Sequence, residues 1–125
     1  MDGYKATVTN ASKQLSKKEQ VMLKDMTNAL QLDALTEDNN EVTLLPLFWA
    51  EISVHNEHSD DKDYVKYVIC ADDGQKYVTG SKSFWTSFCD IMADMQDTQE
   101  QWELVIYKQP SKNYKGKGFL TCSIR

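Results

Sequence analysis

The segment Tyr107-Lys108-Gln109-Pro110-Ser111-Lys112-Asn113-Tyr114-Lys115-Gly116-Lys117-Gly118-Phe119 interleaves lysines with aromatic rings and carries no acid. Lysine ammonium groups neutralise phosphates, and tyrosine and phenylalanine rings give faces on which bases stack. Glycines let the backbone turn and approach a ligand closely. The combination suits a single strand, whose bases are free to stack. It suits a duplex groove less well, because arginine dominates base contacts there. The chain has one arginine, Arg125. The plainer alternative is a solvated loop whose charge serves solubility. Tyr107 and Phe119 would then be a cross-strand pair that only stabilises a hairpin.

Other chemistry-bearing residues are sparse. The two histidines, His55 and His58, form an H-x-x-H beside Glu57, Asp60, Asp61 and Asp63. Such a set could hold a divalent ion. It falls in a loop, however, and not on a helix face that would fix ligand geometry. No phosphate-binding G-x-x-x-x-G-K-[ST], no G-x-G-x-x-G after a strand and no G-x-S-x-G occurs. Gly116-Lys117-Gly118 leads into a strand, so it lacks the helix N-terminus that makes phosphate loops work. Cys70, Cys89 and Cys122 are widely spaced, sit in apolar neighbourhoods and form no C-x-x-C. Reduced thiols in a cytosolic compartment are expected from them. No enzyme activity, cofactor or metal is expected. A metal-dependent nuclease using Asp60, Asp61 and Asp63 ranks last among the alternatives.

Charge is distributed unevenly. The net charge is −5, which argues against bulk attraction to a polyanion. Residues 1–36 carry five lysines against four acids, and residues 37–73 carry ten acids against Lys62 and Lys66. Residues 74–106 carry five acids against Lys76 and Lys82, whereas 107–125 carry Lys108, Lys112, Lys115, Lys117, Arg125 and no acid. An otherwise acidic chain thus has a purely basic last segment, the pattern of a local anion site. The acidic block could instead meet a basic protein partner, as in a viral inhibitor of a host enzyme. No apolar run approaches the roughly 18 residues that would span a bilayer. MDGYKATVTN has no apolar signal core, so secretion is not expected.

These residues need elements to position them. At 125 residues the chain is long enough for one domain. Residues 1–15 suggest a flexible arm or marginal edge strand. Ser16 and Glu19 form an S-x-x-E capping box, which predicts a helix from there to about Leu32 with Met22, Met26, Ala29 and Leu30 on one face. Val42 to Asn56 alternates, with Phe48, Ala50, Ile52 and Val54 on one side and Trp49, Glu51, Ser53 and His55 on the other. Pro46 must lie at an edge or bulge of that strand. Tyr64 to Ala71 predicts a second strand, with Val65, Tyr67 and Ile69 inward and Tyr64, Lys66 and Val68 outward. Asp72-Asp73-Gly74 is a hairpin turn into a short strand, Gln75 to Thr79. Ser81 or Ser83 caps a helix with Phe84, Phe88, Ile91, Met92 and Met95 as its apolar stripe and Trp85 at the edge. Two strands follow, Trp102 to Gln109 and Phe119 to Ile124, with Trp102, Leu104, Ile106, Leu120, Cys122 and Ile124 inward.

The order, three strands, a helix and two strands behind an extra N-terminal helix, is that of a mainly β protein with an OB-fold-like five-stranded barrel. An open sheet of four or five strands packed on two helices would read similarly. The expected division is residues 1–40 as arm and helix and 41–125 as the barrel. In a barrel the basic hairpin joins the fourth and fifth strands, and Trp49, Tyr64, Lys66, Tyr107 and Phe119 would line one groove with it.

The stretches Asp73-Gly74-Gln75-Lys76-Tyr77-Val78-Thr79-Gly80-Ser81-Lys82-Ser83-Phe84-Trp85, Lys108 to Lys117 and Phe119-Leu120-Thr121-Cys122-Ser123-Ile124 resemble small single-stranded-DNA-binding proteins of tailed bacteriophages. The resemblance covers roughly residues 45–125. It rests on an acid-Gly turn, a short strand centred on Tyr77, a Ser-Lys helix start and a Ser-Lys-rich glycine hairpin before the last strand. It implies an OB-fold and non-sequence-specific cover of single-stranded DNA during viral genome replication in the bacterial cytoplasm. It also implies binding through aromatics and lysines: Trp49, Tyr64, Lys66, Tyr77, Tyr107, Lys108, Lys112, Tyr114, Lys115, Lys117 and Phe119. Residues 1–40 lie outside the resemblance and are candidates for self-association. The chain stops on a strand, so recruitment of host proteins by an acidic tail, as in bacterial housekeeping relatives, is not expected.

Overall fold

The computed structural model describes residues 3–110 and 118–125. In chain order these form β1 (Tyr4–Ala11), α1 (Lys17–Lys24), β2 (Leu30–Gln31), α2 (Leu32–Leu35), a 3-10 turn (Glu37–Asn39), β3 (Val42–Leu44), β4 (Pro46–Asn56), β5 (Asp63–Ala71), β6 (Lys76–Thr79), α3 (Lys82–Asp94), β7 (Leu104–Pro110) and β8 (Gly118–Ile124). The protein is mainly β. The described strands make two sheets, β1-β4-β5-β6-β2 and β3-β7-β8, and no closed barrel. This corrects the expected barrel: β6 and β7, the strands that flank α3, belong to different sheets.

The physical turning point is Pro46. The alternating run from Val42 to Asn56 divides there into β3, which pairs with β7, and β4, which pairs with β1 and β5. Proline has no N–H for a ladder, and the register slips between Pro46 and Phe48. Two compact units result, each built from two separated stretches. One comprises the chain up to Leu30 together with Pro46–Gly80; the other comprises Gln31–Leu45 with the chain from Ser81. The expected division at residue 40 matches neither, because β1 is hydrogen-bonded along β4, Tyr4 opposite Asn56 through Ala11 opposite Ala50.

In the first unit α1 starts as its sequence predicts. Ser16 Oγ accepts from the Glu19 N–H, and Glu19 Oε1 accepts from the Ser16 N–H, closing the capping box. The helix ends at Lys24, well short of Leu32. Asp25 Oδ1 accepts from the Thr27 N–H, a local turn that competes with helix, and the Lys76 ammonium donates to the carbonyls of Met22 and Asp25. Leu23 faces the sheet, whereas Met22 is exposed, so the buried face is rotated by one residue from the predicted one. Leu23 joins Ala50, Ile52, Val54, Val68, Cys70 and Val78 in one buried cluster. Each fully buried aliphatic side chain there contributes about 1.5–3 kcal/mol.

Strand β5 is buried on both faces over its second half. Val68 and Cys70 enter that cluster, and Tyr67 and Ile69 on the opposite face are also buried. Two predicted directions therefore change: Val68 is not outward, and Val65, expected inward, is 40% exposed. The β5–β6 turn forms as Asp-Gly predicts, with Gly74 at φ +82° and its N–H donating to Ala71 O.

In the second unit Ser81 caps α3, its Oγ accepting from the Phe84 N–H at 3.2 Å. Phe84, Trp85, Phe88 and Met92 are buried, and Phe88 stacks on Phe84 and Trp85 with centroids 5.9 and 4.9 Å apart. Trp85 is thus core, not edge. The helix packs on β8. Leu104, Ile106, Leu120 and Cys122 are buried as the alternation predicts, while Ile124 is 43% exposed. The three cysteines are free thiols. Burial, with Cys89 nearby, pushes the Cys122 thiol up to about 11, which leaves it unreactive at neutral pH.

Candidate nucleic-acid interface

Sheet register sorts the predicted contact residues by face, because residues paired across antiparallel strands share a face and successive residues alternate. In the hairpin of β7 and β8, Tyr107 pairs with Thr121 and Gln109 with Phe119. Tyr107 and Phe119 therefore stand on one face, at diagonal positions and not directly opposite. Val105, Gln109, Thr121 and Ser123 share that face with them. Tyr107 is half-buried and Phe119 is 44% exposed. Diagonal neighbours in such a ladder lie roughly 7–8 Å apart, close enough for two rings to make one platform. Gly118 ends the platform tightly. A Cβ on it would lie 3.2 Å from Lys108 Cβ and 3.3 Å from Gln109 O.

Lys108 lies on the other face, with Leu104 and Ile106, and its Nζ donates to Asp33 O at 2.8 Å. It satisfies a carbonyl of the short helix α2. Arg125 is also held within the molecule, pairing with Glu41 at 2.8 Å. Of the five cations after residue 106, these two have protein partners. Lys112, Lys115 and Lys117, with Tyr114, lie outside the described residues.

The remaining predicted residues sit in the first unit, and they do not share a face. Trp49 pairs with Ile69, which pairs with Tyr77. Tyr64 pairs with Val54 and Lys66 with Ile52. Trp49 and Tyr77 are therefore on one face, and Tyr64 and Lys66 on the other, so the single groove expected from alternation is corrected. Alternation sets parity within each strand only, while the register between strands decides which faces coincide. Tyr77 is 6% exposed, and its hydroxyl donates to Asp73 Oδ2 at 2.7 Å. Burial first, and that carboxylate second, push its phenol up to about 12. It has no ring face to give a ligand. Trp49 is half-buried, and its backbone N–H donates to Ser12 Oγ at 3.1 Å. Tyr64 is half-buried, with the Lys66 ammonium 5.8 Å from its ring centroid.

Two cationic features escaped the sequence reading. Lys13 Nζ lies 5.0 Å from the Phe48 ring centroid and pairs with Glu19 at 2.7 Å. That places it at the start of α1, where Lys17 and Lys18 are also exposed. The K-x-x-x-K-K spacing ahead of Glu19 was the available signal. The acidic block, by contrast, does not gather on one surface of the first unit. Glu57, Asp60, Asp61 and Asp63 lie at one end of β5, and Asp72 and Asp73 at the other. A nine-residue strand separates these ends by roughly 30 Å. Glu57, Asp63 and Asp73 already accept hydrogen bonds from within the protein.

Among the described residues no group of three or more His, Cys, Asp or Glu could hold a metal ion. No described helix is long and apolar enough to cross a membrane. No family model, no curated protein and no solved structure matches the chain.

Proposed function

We propose that this protein binds single-stranded DNA without sequence preference, through the β7–β8 hairpin, and acts in viral genome replication inside a bacterial cell. The observation that carries the proposal is the common face of Tyr107 and Phe119. Two neighbouring rings flanked by Gln109, Thr121 and Ser123 suit two successive bases of an unpaired strand. Base stacking is sequence-tolerant, since every base has a π-face. The lysines of residues 112–117 stand next in sequence to this platform and would neutralise phosphates. The resemblance to phage single-strand-binding proteins over residues 45–125 supports the same assignment. The role is binding and not catalysis, with no cofactor required. Self-association through the N-terminal segment would run along β1, an edge strand of its sheet.

Titration of fluorescein-labelled oligo-dT at several salt concentrations, read by anisotropy, tests the proposal. Affinity should fall as salt rises, by about 0.7 in log K per log salt for each phosphate contact. Replacing Lys112, Lys115 and Lys117 together by Ala should weaken binding and flatten that slope. Absent binding at low salt, or an affinity indifferent to salt, defeats it. The dispersal of the acidic block weighs against a protein-mimicry role.

A further inference from the structure

At the end of β4 a histidine is caught between two carboxylates. His55 Nδ1 lies 2.7 Å from Asp63 Oδ1, and His55 Nε2 lies 2.6 Å from Glu57 Oε1. Asp63 is its cross-strand partner on β5, and Glu57 is the first residue of the connection between β4 and β5. A neutral imidazole has one N–H and one bare nitrogen. Ionised carboxylates only accept hydrogen bonds, so a bare nitrogen at either distance would oppose lone pair to lone pair. Both contacts are satisfied together only when the ring carries both protons. We infer that His55 is held as an imidazolium and that its second proton is a latch on the β4–β5 turn, closed when bound and released when lost.

The latch joins three pieces of chain. The imidazolium ties β4 to β5 through Asp63 and to the turn through Glu57. The Glu57 N–H in turn donates to Gly3 O at 2.7 Å, which brings in the start of β1. The turn has further backbone closure, with the Asn56 N–H donating to Lys62 O at 2.6 Å and the His58 N–H to Asn56 Oδ1 at 3.0 Å. Loss of the proton would therefore loosen the turn without unpairing the sheet.

The groups around His55 pull in both directions. From β5 comes Asp63, and from the turn Glu57, both favouring the charged ring. From β1 comes Lys5, the cross-strand partner of His55 on that side, which opposes it. Lys62 Nζ lies 3.7 Å from Glu57 Oε2 and competes for that carboxylate. Glu51 lies four residues back on the same face of β4. His58, Asp60 and Asp61 are the other titratable residues of the turn. The balance favours the proton: the hydrogen bonds to Asp63 first and Glu57 second raise the ring above the ordinary imidazole value, against a smaller penalty from burial.

The test is a pH titration of the His55 Cε1 proton by NMR in the intact protein, repeated on the same protein unfolded in urea. The folded midpoint should lie above the unfolded one, and Asp63→Asn should bring it down towards the unfolded value. Amide protection at Asn56 and Glu57, corrected for intrinsic exchange, should fall as pH rises through the folded midpoint. In His55→Gln that protection should be low throughout and lose its pH step. A folded midpoint at or below the unfolded one overturns the inference. So does a His55→Gln variant with wild-type protection and the same pH step.

Discussion

The hairpins β4–β5 and β7–β8 are both antiparallel ladders, yet they use their aromatics in opposite ways. In β4–β5 and the adjoining β6, Tyr67 and Tyr77 are buried, and Trp49 and Tyr64 stand on opposite faces. In β7–β8 one face supplies Leu104, Ile106, Leu120 and Cys122 to the interior, and the other presents Tyr107 and Phe119 together. The difference lies in coverage. A central strand buried on both faces spends its rings on packing. In β7–β8 the second face is covered at the Val105 end, which is buried, and opens towards Tyr107, half-buried, and Phe119, 44% exposed. Aromatic content alone therefore does not single out a candidate strand; rings that share a face and keep exposed surface do.

Substitutions separate the two hairpins by what each does to stability and to binding. Ile52→Ala, in the fully buried cluster under α1, should cost about 2–5 kcal/mol in a urea melt, from lost burial and the cavity left behind. Phe119→Ala, at an exposed position, should change the same melt by less than about 1 kcal/mol. Binding should reverse that order. Phe119→Ala and Tyr107→Ala should each weaken oligo-dT binding by about 1–3 kcal/mol, the worth of one stacked base. Tyr64→Ala should leave affinity near wild type. If Tyr64→Ala instead removes most of the affinity, the interface belongs to the first unit and the contrast between the hairpins fails.

Smaller effects probe how tightly the first unit holds its polar groups. Lys76→Met should cost roughly 1 kcal/mol, because the Met22 and Asp25 carbonyls at the end of α1 lose their donor. The Tyr77 phenol should ionise only at about 12 when absorbance is followed in the folded protein. Since its pKa is raised on folding, the unfolded chain ionises first. Stability therefore declines as pH climbs above the ordinary tyrosine value of about 10. His55 gives the smallest and most local effect. Its folded pKa is also raised, so its contribution is complete below the unfolded value of about 6.5 and is lost as pH rises through the folded one. A melting temperature that rises across that interval, and does so only when His55 is present, would contradict this sign.

Much of the local structure was legible in the residues. Ser16 and Glu19 announce the start of α1, Asp73-Gly74 announces the β5–β6 turn, and Ser81 announces α3, because caps and tight turns are made by residues within three or four positions of each other. The alternation of Leu104, Ile106, Leu120 and Cys122 likewise marked an interior face. The end of α1 was not legible, since its last carbonyls are satisfied by Lys76, some fifty residues away in sequence.

What tertiary structure alone decided is which faces coincide. Period-two alternation states that Trp49 and Tyr64 each point away from their neighbours, but not that they point to the same side. The register of Trp49 with Ile69 and of Tyr64 with Val54 put them on opposite sides. The register of β7 with β8 put Tyr107 and Phe119 on one face and Lys108 on the other, where it reaches Asp33. Pro46 signalled a break, yet only strand pairing turned that break into a change of sheet and removed the barrel. Sequence sets parity along a strand through local stereochemistry. Pairing between distant strands, driven by burial of the best apolar faces, sets everything that parity leaves open.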